Sequence, residues 1–483
     1  MSEPPSGRTV SSVFGLNRTQ PELDFVNVNV DGDVPLFVDP FALALRPDPW
    51  SQRAHGTLVD FFQQVVDEIR AGQLERALQL LGNLNEPNET RLGLSRGSPH
   101  GAGIGDGQAE KLLRALSESS AVKTGFIRQI EDCELMIEGV SRDKISDLTT
   151  NVIRRDLVSY TQAQCALWGI PVASAPLPPC FDNDARAWIS DYHNVPVVDG
   201  SPVVFVPKVL VRRDPAYDHV KYYRHFVLEY LKAEHLSANS SLVHAFKNGR
   251  RDVFKKDLEQ QFPCSKEFLY QFSKEHPGVL ASYRDALVAL ERKGRTESVS
   301  REEEVILAGA LIAALRSTPP GSEGATVYHR LMTGILEVLL FPAVLNPTVE
   351  LEIHEGRKRI DIVMENGARD GLFYRLHSVR KLPASYVAIE CKNYSKDVAN
   401  PELDQLAGRF SPLRGKLGLL CFRTVDDRAK LIARCRDTLK DDRGLILPLD
   451  DETVIQLLAG LKDSGRRSIE EGLGRLVSEI WLD

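Results

Sequence analysis

The sequence predicts a mixed α/β chain (α+β overall). A mostly helical N-terminal region with a few strands precedes a C-terminal mixed sheet flanked by helices. Three observations point there. Apolar residues recur at helical spacing from Gln52 to Leu81 and again within 141–157, so each stretch can bury one face. Short apolar or alternating runs then gather at 348–354, 358–365, 385–392, 417–423 and 444–449. The last three runs are separated by helix-patterned stretches, the spacing of strand–helix–strand crossovers, so the sheet mixes antiparallel and parallel pairs.

A chain of 483 residues has room for about two to four domains and an ample core. Its net charge of −7 argues against a protein that coats nucleic acid non-specifically, while leaving room for a local basic groove. No apolar run approaches the roughly 20 residues that cross a bilayer, so no membrane partner is expected. Residues Met1–Gly7 are polar and lack a signal-peptide core. The seven cysteines (133, 165, 180, 264, 391, 421, 435) are scattered and form no CxxC pair. They read as reduced thiols of a cytoplasmic protein, neither zinc ligands nor a disulfide framework.

Along the chain, a polar tail leads to D-F-V-N-V-N-V at 24–30, D-G-D at 31–33 and P-L-F-V-D-P at 35–40, which predict a β-hairpin around an Asp-Gly turn. Leu58, Phe61, Phe62, Val65, Val66 and Ile69 mark the buried face of the helix that follows. A glycine-rich loop, Gly82–Gly107, contains H-G-A-G-I-G-D-G and leads into a helix over Gln108–Ser117. No apolar strand precedes it and no G-K-[ST] follows, so a surface loop is favoured over a phosphate cradle. Ile145, Leu148, Val152, Ile153 and Leu157 predict one helix over 141–157. Proline-rich Pro171–Pro179 marks a border, and 201–212 reads as a buried strand pair.

Residues 217–292 return to helical patterns rich in aromatics. Basic residues concentrate there: Arg212, Arg213, Lys221, Arg224, Lys247, Arg250, Arg251, Lys255 and Lys256. They could neutralise phosphates. The interspersed Glu229, Glu234, Asp252 and Asp257 favour a solvated helix face instead. A helix over Ser298–Arg316 with an acidic first turn (Glu302, Glu303, Glu304) precedes S-T-P-P-G-S-E-G at 317–324, the clearest linker. The expected organisation is therefore 1–170, a mixed region; 171–316, a mainly helical region that could sense a signal or bind nucleic acid; a linker at 317–324; and a catalytic domain at 325–483.

Within that last domain a helix is expected over Val327–Leu340, with Tyr328, Met332, Ile335 and Leu339 on one face. Strands follow over 348–354, 358–365 and 385–392, the third after an insertion at 366–384. Helices over Pro401–Phe410, Asp426–Leu439 and Glu452–Leu461 alternate with the last two strands. Two of these strands read R-I-D-I-V-M-E at 359–365 and Y-V-A-I-E-C-K-N-Y at 386–394. Side chains alternate along a strand, so Glu390 and Lys392 share a face and Cys391 takes the other. Asp361 joins them if the two strands pair. Two carboxylates and a lysine then converge amid aliphatic core, the residues of a metal site with a cation beside it. The plainer reading is a strand salt bridge between Glu390 and Lys392.

The order α-β-β-β-α-β, with Asp361 and E-x-K at 390–392, resembles the PD-(D/E)xK nuclease superfamily, the restriction-endonuclease-like fold. E-C-K-N-Y in particular is similar to its Mrr-type and archaeal-resolvase branch. The resemblance spans about residues 325–462. Ile360 stands where the motif carries proline. What it implies is a magnesium-dependent endodeoxyribonuclease, with manganese as substitute, in which Asp361, Glu390 and the carbonyl of Cys391 hold the metal. Lys392 would orient or deprotonate the attacking water. The resemblance further implies a third acidic ligand at Glu337, in the first helix, and a glutamine near the site at Gln405. Carboxylates suit magnesium, a hard cation that keeps several waters and lowers the pKa of one of them.

Arg357, Lys358 and Arg359, with Arg380 and Lys381, fit contacts to a nucleic-acid backbone, and Arg409 and Arg414 fit phosphate binding. Glu402 and Asp404 fit capping charges at a helix start. The expected substrate is double-stranded DNA. Cleavage of RNA or of recombination junctions is the alternative, and a non-catalytic nucleic-acid-binding or scaffold protein the alternative of another class. A nuclease domain behind a large companion resembles a bacterial restriction or anti-phage effector acting with defence-system partner proteins. Cutting both strands is simplest for a homodimer or higher homo-oligomer.

Overall fold

The computed structural model describes residues 7–93, 106–127, 129–292, 301–353, 358–394 and 396–482. It is a mixed α/β protein with two hydrophobic cores, one running from Val10 to Leu287 and taking in Phe341, and one from Ala308 to Ile480. The first core is continuous across Pro171–Pro179, so the border expected there does not exist. Both the helix Arg154–Trp168 and the segment Val203–Val206 fill it.

The predicted hairpin at 24–40 does not form. Phe25 bridges Pro207, Val34 bridges Leu92, and Phe37–Val38 pairs with Val211–Arg212. The cause lies in the pattern itself: Phe25, Val26, Val28 and Val30 are all buried. A two-stranded ribbon would leave one of its faces in water. The helix expected over 52–81 starts at Pro49 behind Asp48, whose side chain accepts from the Ser51 N–H. It breaks after Arg70 because Gly72 takes a left-handed φ of +75°, and a second helix runs Leu74–Leu81. The helix expected over 141–157 is likewise two, Arg142–Val152 and Arg154–Trp168. Arg154 is fully buried, its guanidinium held by Glu89 at 2.7 Å and by the carbonyl of Pro179 at 2.8 Å. Much of the glycine-rich loop, 94–105, lies outside the described residues.

In the C-terminal unit, α1 (Arg301–Ser317) and α2 (Ala325–Leu340) precede β1 (Val344–Ile353), β2 (Lys358–Asn366) and β3 (Tyr386–Lys392). Then come α3 (Asn400–Ala407), β4 (Leu417–Phe422), α4 (Arg428–Lys440), β5 (Leu445–Asp450), α5 (Asp451–Ser464) and α6 (Arg466–Trp481). The sheet runs β1-β2-β3-β4-β5, antiparallel across the first two junctions and parallel across the last two. Every residue of β4 is buried, as expected of a central strand covered on both faces. Helix α6 was not expected; its Ile469, Leu473, Leu476, Val477 and Ile480 complete the core.

The boundary expected at 317–324 is displaced. Ala308, Leu311 and Leu315 of α1 belong to the C-terminal core, so the unit includes α1. The proline-rich segment is held rather than free. Asn393, one residue past β3, donates to the carbonyls of Pro319 and Gly321 at 3.1 and 2.8 Å. Arg423, one residue past β4, donates to the carbonyl of Thr318 at 2.9 Å while pairing with Asp451.

The two units meet through α2 and β1. A bulge in β1 between Leu345 and Thr348 puts Asn346 at a left-handed φ of 52°. Its amide donates to Asp48 and Glu365, and the next carbonyl, of Pro347, accepts from Gln164 at 3.0 Å. The N–H of Trp50 donates to Glu365 at 2.8 Å. No helix among the described residues is long and apolar enough to cross a membrane.

Candidate active site

Strands β2 and β3 pair from Glu365↔Tyr386 to Ile362↔Ile389, and the next step of that register sets Asp361 opposite Glu390. The ladder gives way there. The N–H of Cys391 is taken by the Asp361 carboxylate at 3.0 Å, so Asp361 is fixed against β3 by its side chain. Opposed residues of an antiparallel pair project to one face, so both carboxylates stand together. Cys391 points the other way and is buried.

Glu390 is fully buried. Its Oε1 accepts from Lys392 Nζ at 2.6 Å and from the amide of Gln405, and that amide's oxygen accepts from Lys392 at 3.3 Å. Gln405 comes from α3, which starts at Asn400 with Pro401 in its first turn and is capped by Glu402. Glu402 accepts from the Ala399 N–H at 2.8 Å and from the Tyr394 hydroxyl. Asp404 instead pairs with Arg443 at 2.6 Å.

The other oxygen, Glu390 Oε2, has no hydrogen-bond donor, although Arg409 Nε lies 3.3 Å away. Burial raises the Glu390 carboxyl above its ordinary range, and the Asp361 charge adds to this, while Lys392 and Arg409 pull the other way. A divalent cation would relieve that repulsion and satisfy the orphaned oxygen, so the donor set fits a hard, oxygen-bound metal. Among the described residues no three His, Cys, Asp or Glu side chains gather into a metal-holding group. The side chains brought together are therefore the two carboxylates, and the Cys391 carbonyl that the resemblance adds to them follows directly on Glu390 in the chain.

That carbonyl has a neighbour which the sequence reading missed: a ring nitrogen of His329, on α2, lies 3.2 Å from it. The available signal was weak, a histidine one position from the buried stripe headed by Tyr328.

Glu337 lies elsewhere. It is fully buried, and its Oε2 accepts from Lys208 of the N-terminal unit at 3.1 Å. It is held by Lys208 rather than beside Asp361 and Glu390, the place expected of a third metal ligand. Every residue of α2 from Leu331 to Leu340 is buried because the N-terminal unit covers the second face. Arg409 is buried beside Glu390, with Nε and Nη1 lacking acceptors. Arg414 is tied to its own turn, donating to the carbonyl of Arg409 at 3.3 Å. Arg380 lies over the Trp481 ring at 4.7 Å. Arg357 and the side chains of Lys358 and Arg359 lie outside the described residues.

Residues 15–218 match a family model described as a domain of unknown function (DUF8370). That match covers part of the N-terminal unit and none of the candidate site. No curated protein and no solved structure matches the chain.

Proposed function

We propose that the chain is a metal-dependent endonuclease whose reaction centre is Asp361, Glu390 and Lys392, with Gln405 and Arg409 around them. The observation that carries this reading is Glu390: a fully buried carboxylate with one oxygen locked by Lys392 and Gln405, the other lacking a hydrogen-bond donor with Arg409 Nε 3.3 Å away, and the whole group repelled by Asp361's charge. A mere strand salt bridge would leave no reason to set a second carboxylate, Asp361, opposite the buried Glu390.

Asp361, Glu390 and the Cys391 carbonyl would hold magnesium or manganese, with His329 against the carbonyl. When bound, the cation supplies a Lewis acid for a phosphoryl oxygen and a water of lowered pKa. Lys392, positioned by two acceptors, holds a water or the developing negative charge at Nζ. Gln405 fixes the lysine and the carboxylate relative to each other. Arg409, ion-paired with Glu390 through Nε at 3.3 Å, would turn its Nη1, which lacks an acceptor, to a phosphate. The substrate class proposed is duplex DNA, and the role a defence effector governed by the N-terminal unit.

The test is cleavage of plasmid, linear duplex, single strand, branched DNA and RNA with magnesium or manganese, comparing the full chain with Lys392→Ala and Asp361→Ala. Metal-dependent cutting lost in both variants supports the reading. Equal cutting by the variants, or none by the wild type on any substrate, refutes it.

A further inference from the structure

The segment 244–256 reads as helix from its charges, but the structure makes it a projecting β-hairpin. His244–Ala245 pairs with Arg251–Asp252 around a turn at Asn248-Gly249, with Gly249 at φ +80°. The turn is closed by the Phe246 N–H on the carbonyl of Arg250 at 2.8 Å and by the Gly249 N–H on that of Phe246. Every residue from His244 to Arg251 is exposed. Its base is anchored: Val253 is buried, and Asp252 pairs with Lys232 at 2.7 Å and Arg250 at 2.9 Å. Phe246 and Phe254 stand edge to face at 6.2 Å, stiffening the stem.

Three of the four acids that argued for a neutral face are spent on particular partners, Glu234 being the exception. Asp252 takes Lys232 and Arg250, Glu229 takes Lys255, and Asp257 takes His244. That leaves Lys247 at the tip, Arg251 on the second strand and Lys256 beyond it without an acidic partner among the described residues. Arg251 contacts only the side-chain oxygen of Asn239. In a chain of net charge −7, residues 244–256 hold five Lys or Arg against one Asp. Lys247 and Arg251, two cations without acidic partners among the described residues on an exposed hairpin, with Lys256 at the start of the following helix, suit contacts to phosphates. We infer that this hairpin grips the phosphate backbone of duplex DNA, a contact made outside the catalytic unit; the inference rests on the nuclease reading above.

The test is equilibrium binding of a fluorescent duplex to the full chain in metal-free buffer, where no cutting competes, across about 50–200 mM salt. The variants are Lys247→Glu/Arg251→Glu, the milder Lys247→Gln/Arg251→Gln, and Lys247→Arg as conservative control. The glutamate pair should weaken binding at least about ten-fold and reduce the log–log salt slope by about 2, as two lost phosphate contacts require. The glutamine pair should fall between, and Lys247→Arg should bind as wild type. Circular dichroism and melting should be unchanged, since these side chains touch no core.

If wild type and glutamate pair bind duplex with equal affinity and slope, the hairpin inference is overturned while the nuclease reading stands. The same holds if the wild type cuts only single strands or RNA and ignores duplex. It holds too if the glutamate pair loses binding only to vesicles of anionic phospholipid. If the wild type neither binds nor cuts any nucleic acid, both readings fall together.

Discussion

Replacing Glu337 by glutamine isolates the protonation of one carboxyl at the junction of the two units. Glu337 is fully buried; Oε1 has no partner, and Lys208 Nζ, 3.1 Å from Oε2, is also held by the carbonyls of Pro21 and Leu23. Asp24, buried and bonded to the Tyr160 hydroxyl at 2.7 Å, shares the same lysine. One cation thus serves two buried acids. Burial is the main cause that pushes the Glu337 carboxyl up to about 8, with Asp24 adding to it and Lys208 opposing. The folded state therefore holds a proton that the unfolded chain releases near pH 4.5. Stability from the protonated form is complete below that pH and is lost as pH rises through about 8.

The greatest slope is about 1.4 kcal/mol per pH unit, so roughly 3 kcal/mol disappears between about pH 5 and 7.5. Glutamine keeps an acceptor for Lys208 and cannot ionise. Urea midpoints and melting temperatures at pH 5, 6, 7 and 8 should decline in the wild type. In Glu337→Gln they should decline less steeply, by about that slope. The remaining decline comes from the other acids that burial raises, among them Asp24, Glu131 and Asp147 (each of the last two to about 8) and Glu365 (to about 7). Parallel curves for the two proteins would refute the placement of a proton on Glu337.

Asn393→Ala removes the donors to the Pro319 and Gly321 carbonyls, leaving Arg423 alone of the donors described above on 317–324. It should cost about 1–3 kcal/mol and open that segment to protease, read by melting and by the cut site. Gly415→Ala should destabilise by more than about 1 kcal/mol, because φ is +118° and a Cβ would sit 2.5 Å from the carbonyl of Tyr386; thermal melting checks it. Gln405→Ala should lower metal-dependent cleavage about 10-fold to 100-fold while leaving the melting temperature within a few degrees, since Gln405 is exposed and acts by aligning Glu390 and Lys392. His329→Ala should weaken metal binding, seen by calorimetric titration with manganese, through its contact with the Cys391 carbonyl.

The C-terminal sheet was legible because its strands are continuous apolar runs separated by helical spacing, a pattern set by burial on both faces. The pairing of Asp361 with Glu390 was legible for the same reason: alternation along a strand is local geometry. What misled were segments whose partners lie far off in sequence. The runs around Phe25 and Phe37 look like a hairpin until Pro207 and Val211 are known to pair with them. Glu337 looks like a ligand until Lys208 is known to reach it. S-T-P-P-G-S-E-G has the composition of a linker, and only Asn393 and Arg423 at distant strand ends turn it into fixed structure. At 244–252 the mixed charges hid a hairpin because Asn-Gly, its turn signal, sits among residues that also suit a helix.

Helix α2 carries His329 toward β3 at one end and Glu337 into the N-terminal unit at the other. The C-terminal unit is therefore not a portable cassette. A fragment beginning at Arg301 would bare the face of α2 that Glu22 lies against at Gly334, along with Phe341 stripped of Lys208. Exchanging the first 292 residues for another module would succeed only if the newcomer supplied a cation for Glu337 and a cover for that helix. Variation in the two units should accordingly proceed in step along this seam, while the outer surface of each drifts on its own.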